Sequence, residues 1–452
     1  MTNTQMLRTL AATALVGLAA CSDFLEPEEA VVDPNRPTNA TARQVFVGTQ
    51  TNLWAYLASD PVRTANIWSQ NLTGVQGQYL LVQQYSNSEV ITNGFNQGLY
   101  VGGGLVDIRR GQDITRATGD DLFLGIFQVQ EALLMSIGAD LFGDVVYSQA
   151  LTEADNPPLD EQLGVYDALL ELLDEAIANM AATGPSNVGP GDADLAYGGD
   201  PELWTKLAHT VKARIHFRLA EVRPDAYASA LAEARLGLAD PSEDFAAVFS
   251  GAANEQNFWY QFFQVERADY IRPNPSFVAL LQGRGDPRLS YYFNAAASNL
   301  STTLLGPSYT QPLVPATENL LNWAEAAYRT GATGEALAQL NAARAAWSAR
   351  GVTLAPVASA GTQLLRDILT ERYISLFQTY EPFMQYKRTC FPNLAPAVPG
   401  GDIPSRMFYD TSERQTNTNI PPGDQQPVRN DNDPANGTDP FGSPCLAEPP
   451  AA

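Results

Sequence analysis

Between Gly164 and Val222 apolar residues return every three to four positions, a spacing that a helix gathers on one side and a strand scatters over both. In GVYDALLELLDEAIANM, Val165, Leu169, Leu172, Leu173, Ala176, Ile177 and Met180 share a face, with Asp167, Glu171, Asp174 and Glu175 mostly opposite. The next segment, GDPELWTKLAHTVKARIHFRLAEV, adds start and stop chemistry. Asp200 is placed to cap, Pro201 takes the first helical position, where no N–H is needed, and Glu202 sits in the first turn. Lys212, Arg214 and Arg218 collect toward the negative end of the helix dipole, and Trp204, Leu207, Val211, Ile215 and Leu219 form the apolar stripe. A further helix, DAYASALAEARLGL, opens at Pro224 and closes near Gly237.

A second helical cluster follows at about 317–382. Thr317 is expected to cap a helix carrying Leu320, Leu321, Ala324 and Tyr328, Gly331 ends it, and Ala336, Leu337, Leu340 and Trp347 mark the next. Alanines let this pair approach closely, and it resembles a tetratricopeptide hairpin, although no clean repeat of about 34 residues runs through the chain. A last helix, GTQLLRDILTERYISLFQTYEPF, is expected to be interrupted by Pro382. Residues 246–316 and the chain beyond Cys390 are rich in Asn, Gly and Pro, the former also in aromatics, and read as long ordered loops with short strands. The expectation is a mostly α protein: one domain over 42–452, with a helical scaffold at about 42–245 and 317–382. Its loop-rich, ligand-facing parts fall at about 246–316 and 383–452.

The N-terminus has a different texture. Leu10 to Ala20 is an apolar and small-residue run, roughly half of the ~20 residues a membrane-spanning helix needs, and it reads as a signal-peptide core over 1–20. It ends in Leu18-Ala19-Ala20-Cys21, which resembles the bacterial lipobox, where the cysteine becomes the lipid-modified first residue of the mature protein. The acids and prolines that follow, to about residue 41, read as a flexible tether. Cys390 and Cys445 then remain as a possible disulfide in an oxidising compartment.

A net charge of −23 with only 27 Lys and Arg argues against nucleic acid as a partner, because phosphate neutralisation needs clustered cations. His209 and His216, the only histidines, stand seven apart on one helix, about 10 Å along its axis and too far to share a zinc. In NDNDPANGTD, Pro434 and Ala435 break the calcium-loop spacing. There is no Gly-x-Ser-x-Gly, and GGGLVD fails the dinucleotide pattern because Asp107 stands where the third glycine belongs. No metal, cofactor or catalytic residue is therefore expected. A glycan-active hydrolase needs only two carboxylates and stays open as an alternative, as does a purely protein-binding scaffold.

For ligand binding the useful mixture is an aromatic platform with amide partners, since sugars stack C–H faces on rings and donate hydroxyls to amides and acids. WSQNLTGVQGQYLLVQQYSNSE offers Trp68, Gln76, Gln78, Tyr79 and Tyr85, and NEQNFWYQFFQ offers Asn257, Trp259 and Tyr260. Trp204, Trp323 and Trp347, at helical spacing among apolar neighbours, are read as core, and Glu371 and Arg372 as structural.

Several segments in order resemble the SusD/RagB family of outer-membrane nutrient-binding lipoproteins. LFGDVVYSQAL followed by PPLDEQLGVYDALLELLDEAI resembles its Gly-Asp-(Val/Ile)-Pro-Tyr turn and Asp-x-Gln-x-x-(Val/Ile)-Tyr helix start, with Val146 in place of proline. DLAYGGDPELW, DPRLSYYF, ENLLNWAEAAYRTG and ERYISLFQTYEPFMQYKRT continue the pattern. IPSRMFYDTSE resembles Ile-Pro-x-Arg-x-x-Tyr-Pro-x-x-Glu, with Asp410 where proline is usual. The resemblance implies a helical scaffold with tetratricopeptide-like hairpins, anchored by lipid to the outer membrane and facing the cell exterior. It also implies a non-catalytic role, capturing oligosaccharides or peptides for a SusC-like TonB-dependent transporter.

Overall fold

The computed structural model describes residues 40–86, 89, 91–92, 94–150 and 156–433. The expected signal peptide, Cys21, the tether up to residue 39, and Cys445 lie outside the described residues. Cys390 is disulfide-bonded, and the partner expected for it is thus not among them.

Helices α1 (Ala42–Ala58) and α2 (Asp60–Trp68) are separated only at Ser59, and Pro61 occupies the first turn of α2. Short elements follow: β1 (Leu72–Gly74), α3 (Gly77–Gln83) and α4 (Phe95–Tyr100), then α5 (Leu105–Thr118). The centre of the fold is α6 (Asp121–Phe142), which packs against α5, α7 (Gln162–Met180) and α8 (Pro201–Arg218). Asp120 caps it by accepting from the Phe123 amide at 3.0 Å. Among the described residues α6 is the one helix long and apolar enough to cross a membrane, and its side chains are spent on the core. Phe123, Phe127, Phe46 and Trp204 meet there at ring-centre distances of 4.8 to 6.3 Å.

The expected cap of α8 is found: Asp200 accepts from the Glu202 and Leu203 amides. The α7 face is also found, with Val165, Leu169, Leu173, Ala176 and Met180 buried. Helix α9 (Ala226–Ala234) packs on α8, and His209 Nδ1 lies 2.7 Å from Glu233 Oε2, tying the two together. β2 (Phe245–Ala247) opens the aromatic stretch, which carries a helical turn at Phe258–Tyr260, β3 (Ile271–Pro273), α10 (Pro275–Gly283), α11 (Arg288–Tyr292) and β4 (Gln311–Val314). β1 pairs antiparallel with β3, Leu72 opposite Pro273, and β2 with β4, with an irregularity at Phe245/Ala246.

Helices α12 (Ala316–Arg329) and α13 (Thr333–Ala345) form the expected hairpin, turned by Gly331 at φ +88°. Ala324, Ala327, Ala336 and Ala343 are fully buried, which lets the backbones close in. Thr317 does not cap: Pro315 holds that position, and Thr317 is buried inside the first turn. Helix α14 (Gly361–Ser375) and α15 (Glu381–Thr389) replace the single long helix. The break falls before Pro382, which sits in the first turn of α15, where its missing N–H costs no hydrogen bond. A short α16 (Thr411–Thr416) closes the described chain's ordered helices.

A buried ionic lattice clamps these helices. Arg218 of α8 donates to Asp140 of α6 at 3.0 Å and to Glu381 of α15 at 2.5 Å. Arg214 forks onto Glu318 of α12 at 2.8 and 2.9 Å, and Arg388 of α15 onto Glu325 at 2.8 and 2.7 Å. Glu371 pairs with Arg288 and Arg344, the structural role expected of it, while Arg372 bonds Asn322. Arg214, Arg218 and Arg388 are each matched by a buried carboxylate, so removing one partner would strand its mate in a dry interior.

Candidate functional site

The two stretches expected to carry a ligand platform do meet, but through their interiors. Tyr79 packs edge-on against Phe262 at 5.1 Å, and Phe262 continues to Phe263 and Trp259. Trp259 is fully buried, stacked on Phe263 and edge-on to Phe377, so it presents no free face. Trp68 is fully buried as well, with its indole N–H on the Val82 carbonyl at 3.2 Å and its ring against Phe383. Tyr79 is 2% exposed and its hydroxyl is taken by Asp60. Asn257 is a cap, its Oδ1 accepting from the Trp259 and Tyr260 amides. Tyr85 is half-buried and accepts from the Ala397 amide, Tyr260 is half-buried, and only Gln76 and Gln78 are exposed. The correction has a plain cause: in a region of short, irregular elements, large rings are the material of the core, and sequence spacing does not reveal that. Of the three tryptophans read as core, Trp204 and Trp347 are buried, while Trp323 is half-buried and donates to Glu335 at 2.6 Å.

A cleft of small-molecule size lies elsewhere and contains none of those eight residues. It has a volume of about 480 Å³ and is walled by α4, the start of α5, Val146, Ala150 and Pro157, and α16. That is within the ~300–1,000 Å³ of small-molecule sites, whereas the hollow beside Tyr291, Tyr309 and Trp347, at about 30 Å³, is too small for a sugar.

Two elements are brought together by one carboxylate. Asp410 accepts from the Gly94 amide at 2.9 Å, where α4 begins in a left-handed turn (φ +86°), and from the Glu413 amide at 2.7 Å, where α16 begins. A proline at 410 would have no side-chain acceptor for either. Ser412 also donates to Asp410, and Asn417 at the far end of α16 donates to the Pro157 carbonyl at 2.8 Å, so the opposite rim is stapled too. Behind the cleft Tyr409 donates to the Asp144 carbonyl and Arg406 to the Phe142 carbonyl, fixing the strand of chain that delivers α16. Asp160 holds the other wall by accepting from the Tyr147 and Ser148 amides at 2.8 and 2.9 Å.

The surfaces inside are of two kinds. Tyr100, Val101, Val106 and Val146 are apolar, with Val101 and Val106 open to solvent. Asn96, Gln97, Asp410, Glu413, Thr416 and Asn417 supply polar atoms, with acceptors predominating. Asn96 donates to Glu413 while its own Oδ1, buried, has no partner. Burial, reinforced by Asp410, pushes the Glu413 carboxyl up to about 8, so it holds its proton at neutral pH. Burial and the same two acids raise Tyr56, behind the cleft. Among the described residues no lysine or arginine lines this space, and no three ligating side chains cluster as a metal site.

Sequence reading passed over this cleft although it held a signal. Val146 and Asp410, the two positions that depart from the proline of the resembled motifs, both line it. Departures at motif positions mark where a scaffold has been altered locally, and here two of them converge.

A family model described as "SusD-like_2: Starch-binding associating with outer membrane" matches residues 34–313. No curated protein matches the chain. Among solved structures, a SusD/RagB family protein from Bacteroides thetaiotaomicron is similar at 19% identity and a TM-score of 0.68, over 84% of this chain and 95% of that one. A chitin-binding SusD homologue from Flavobacterium johnsoniae is 20% identical with a TM-score of 0.68, over 86% and 98%. A SusD homologue from Bacteroides fragilis is 16% identical with a TM-score of 0.68, over 87% and 98%. At these identities the likeness to each structure is one of fold.

Proposed function

The chain belongs to the SusD-like family, a family of binding proteins and not enzymes, and on that premise we propose that it captures an oligosaccharide in the α4/α16 cleft and delivers it to a SusC-like TonB-dependent transporter. The observation that carries this is the make-up of the cleft. Exposed valines and Tyr100 offer apolar surface to sugar C–H faces, and amides and carboxyls on the facing side accept hydroxyl protons. The starch-binding description of the family and the chitin-binding relative favour a glycan over a peptide.

Anchoring follows the same reading. Lipidation at Cys21 would hold the domain at the outer membrane, with residues 22–41 giving it reach, and a bridge from Cys390 to Cys445 would pin the C-terminal tail. Cys21→Ala is expected to release the protein from the membrane fraction in a strain lacking the transporter.

The test of capture is binding to a polysaccharide panel before and after the cleft is blocked. Val106→Cys, 38% exposed in the native residue, is modified with a bulky maleimide, and wild-type protein treated in the same way is the control. Blocking is expected to weaken oligosaccharide binding at least tenfold. Equal binding by blocked and control protein would refute the cleft as the site.

A further inference from the structure

We propose that the inner end of the cleft, where Glu413 and Asn96 face one space, recognises a positively charged amine, so that the favoured ligand is an oligosaccharide bearing free amino groups. This rests on the cleft being the oligosaccharide site.

Three observations converge. The first is an orphan acceptor. Asn96 is 4% exposed and lines the cleft, its Nδ2 is committed to Glu413, and its Oδ1 has no hydrogen-bond partner. A buried amide oxygen left bare is destabilising, and a donor on a ligand would relieve that cost. The second is an excess of acid without a counter-charge. Asp410 and Glu413 line the cleft, and no cation among the described residues does.

The titratable groups facing Glu413 are acidic or neutral. They are Tyr56 from α1, Tyr100 from α4, and Tyr409 and Asp410 from the segment before α16. The neighbouring Arg414 turns away to Glu89 at 2.7 Å. The third observation is that the Ser412 and Thr416 hydroxyls are already spent. Ser412 donates to Asp410, and Thr416 donates to the carbonyls of Ser412 and Glu413. The inner end, with the Asn96 Oδ1 bare, therefore offers acceptors, and an ammonium brings three donors together with the positive charge the space lacks.

The proton balance is explicit. Free protein carries the proton on Glu413; a ligand that arrives as an ammonium displaces that proton to solvent, and one that arrives as the neutral amine takes it over, so the bound state is in either case an ammonium–carboxylate pair. A neutral sugar requires no such release.

The experiment is titration calorimetry on the full chain with three tetrasaccharides: glucosamine, N-acetylglucosamine and maltose-type glucose. Free and N-acetylated tetra-alanine are included as a separate source of the amine. The glucosamine form is expected to bind at least tenfold more tightly than the N-acetylated form at pH 7.5. The preference should shrink on going to pH 5.5, by up to about tenfold per pH unit, as protons compete for Glu413. At pH 5.5, where the amine arrives as ammonium, buffers of different ionisation enthalpy should show proton release with the amine form alone, a readout that needs no variant. In Glu413→Gln the ratio between amine and acetylated forms should fall to near one.

If the neutral oligosaccharides bind as tightly as the amine, or without any difference in proton release, the amine inference fails while the capture function stands. Tighter binding of free tetra-alanine than of the glucosamine form overturns the assignment to a sugar. If no oligosaccharide binds at all, the underlying reading of the cleft is what has failed.

Discussion

Glu413→Gln should make the protein more stable, and only above a defined pH. In the folded chain burial, with Asp410 beside it, raises the Glu413 carboxyl from an ordinary 4.5 to about 8. Between those values the folded state keeps a proton that the unfolded state has released, so stability declines as pH rises through the window and levels off above about 8. Each tenfold change in proton affinity is worth about 1.4 kcal/mol, which sets a ceiling of roughly 4–5 kcal/mol for the full penalty. Partial solvent access at the cleft mouth reduces it to about 2–3 kcal/mol. Glutamine keeps the shape and can still accept from Asn96, but it does not titrate. Urea unfolding followed by circular dichroism at pH 4.5, 6, 7 and 8.5 should therefore show the variant matching wild type at the lowest pH. By pH 8.5 it should exceed wild type by about 2–3 kcal/mol, with m unchanged. Every other carboxylate is common to both proteins and cancels. A stability difference that is the same at all four values, or a variant weaker than wild type at pH 8.5, would refute the buried-acid account of the cleft.

Glu325 should behave in the opposite sense. Burial alone would raise it, but Arg388 and Arg329 overcome this and hold the carboxyl at about 2. It then contributes about 3 kcal/mol that is present above pH 4.5 and is lost as pH falls toward 2, so acid unfolding of Glu325→Gln should be visibly less steep over that range. Gly111→Ala tests packing against propensity. Alanine is better by about 1 kcal/mol in a helix interior, but its Cβ would sit 2.4 Å from the Phe127 ring, so a fall in Tm is expected and a rise would contradict the close α5–α6 contact. Trp259→Ala should cost about 3–5 kcal/mol in denaturant unfolding. The milder Trp259→Phe should leave oligosaccharide affinity within twofold, and a tenfold loss there would return this ring to the binding site.

The helical character of the chain was legible because it is a local property. The α7 face, the Asp200 cap and the Gly331 turn are written in residues a few positions apart, and backbone geometry reads them directly. The ordered motifs pointed to the family for a related reason, since each belongs to one short segment. Thr317 and Pro382 show the margin of error in that kind of reading. A threonine can cap and a proline can break, but which residue does so depends on where neighbouring helices pull the chain.

Burial could not be read that way. Trp259 and Tyr79 have the composition of a sugar platform, and they are core because Phe377, Phe263 and Phe262, some of them more than a hundred residues away, close over them. The ionic lattice likewise joins Asp140 to Arg218, Glu381 and their neighbours only after five helices have assembled. The sequence by itself determined the helices, their order and the family; tertiary structure decided which polar groups lost water and which kept a face. Asp410 gathers Gly94 and Glu413 across 316 residues of chain, and a cleft made of such distant parts exists only once the chain has folded.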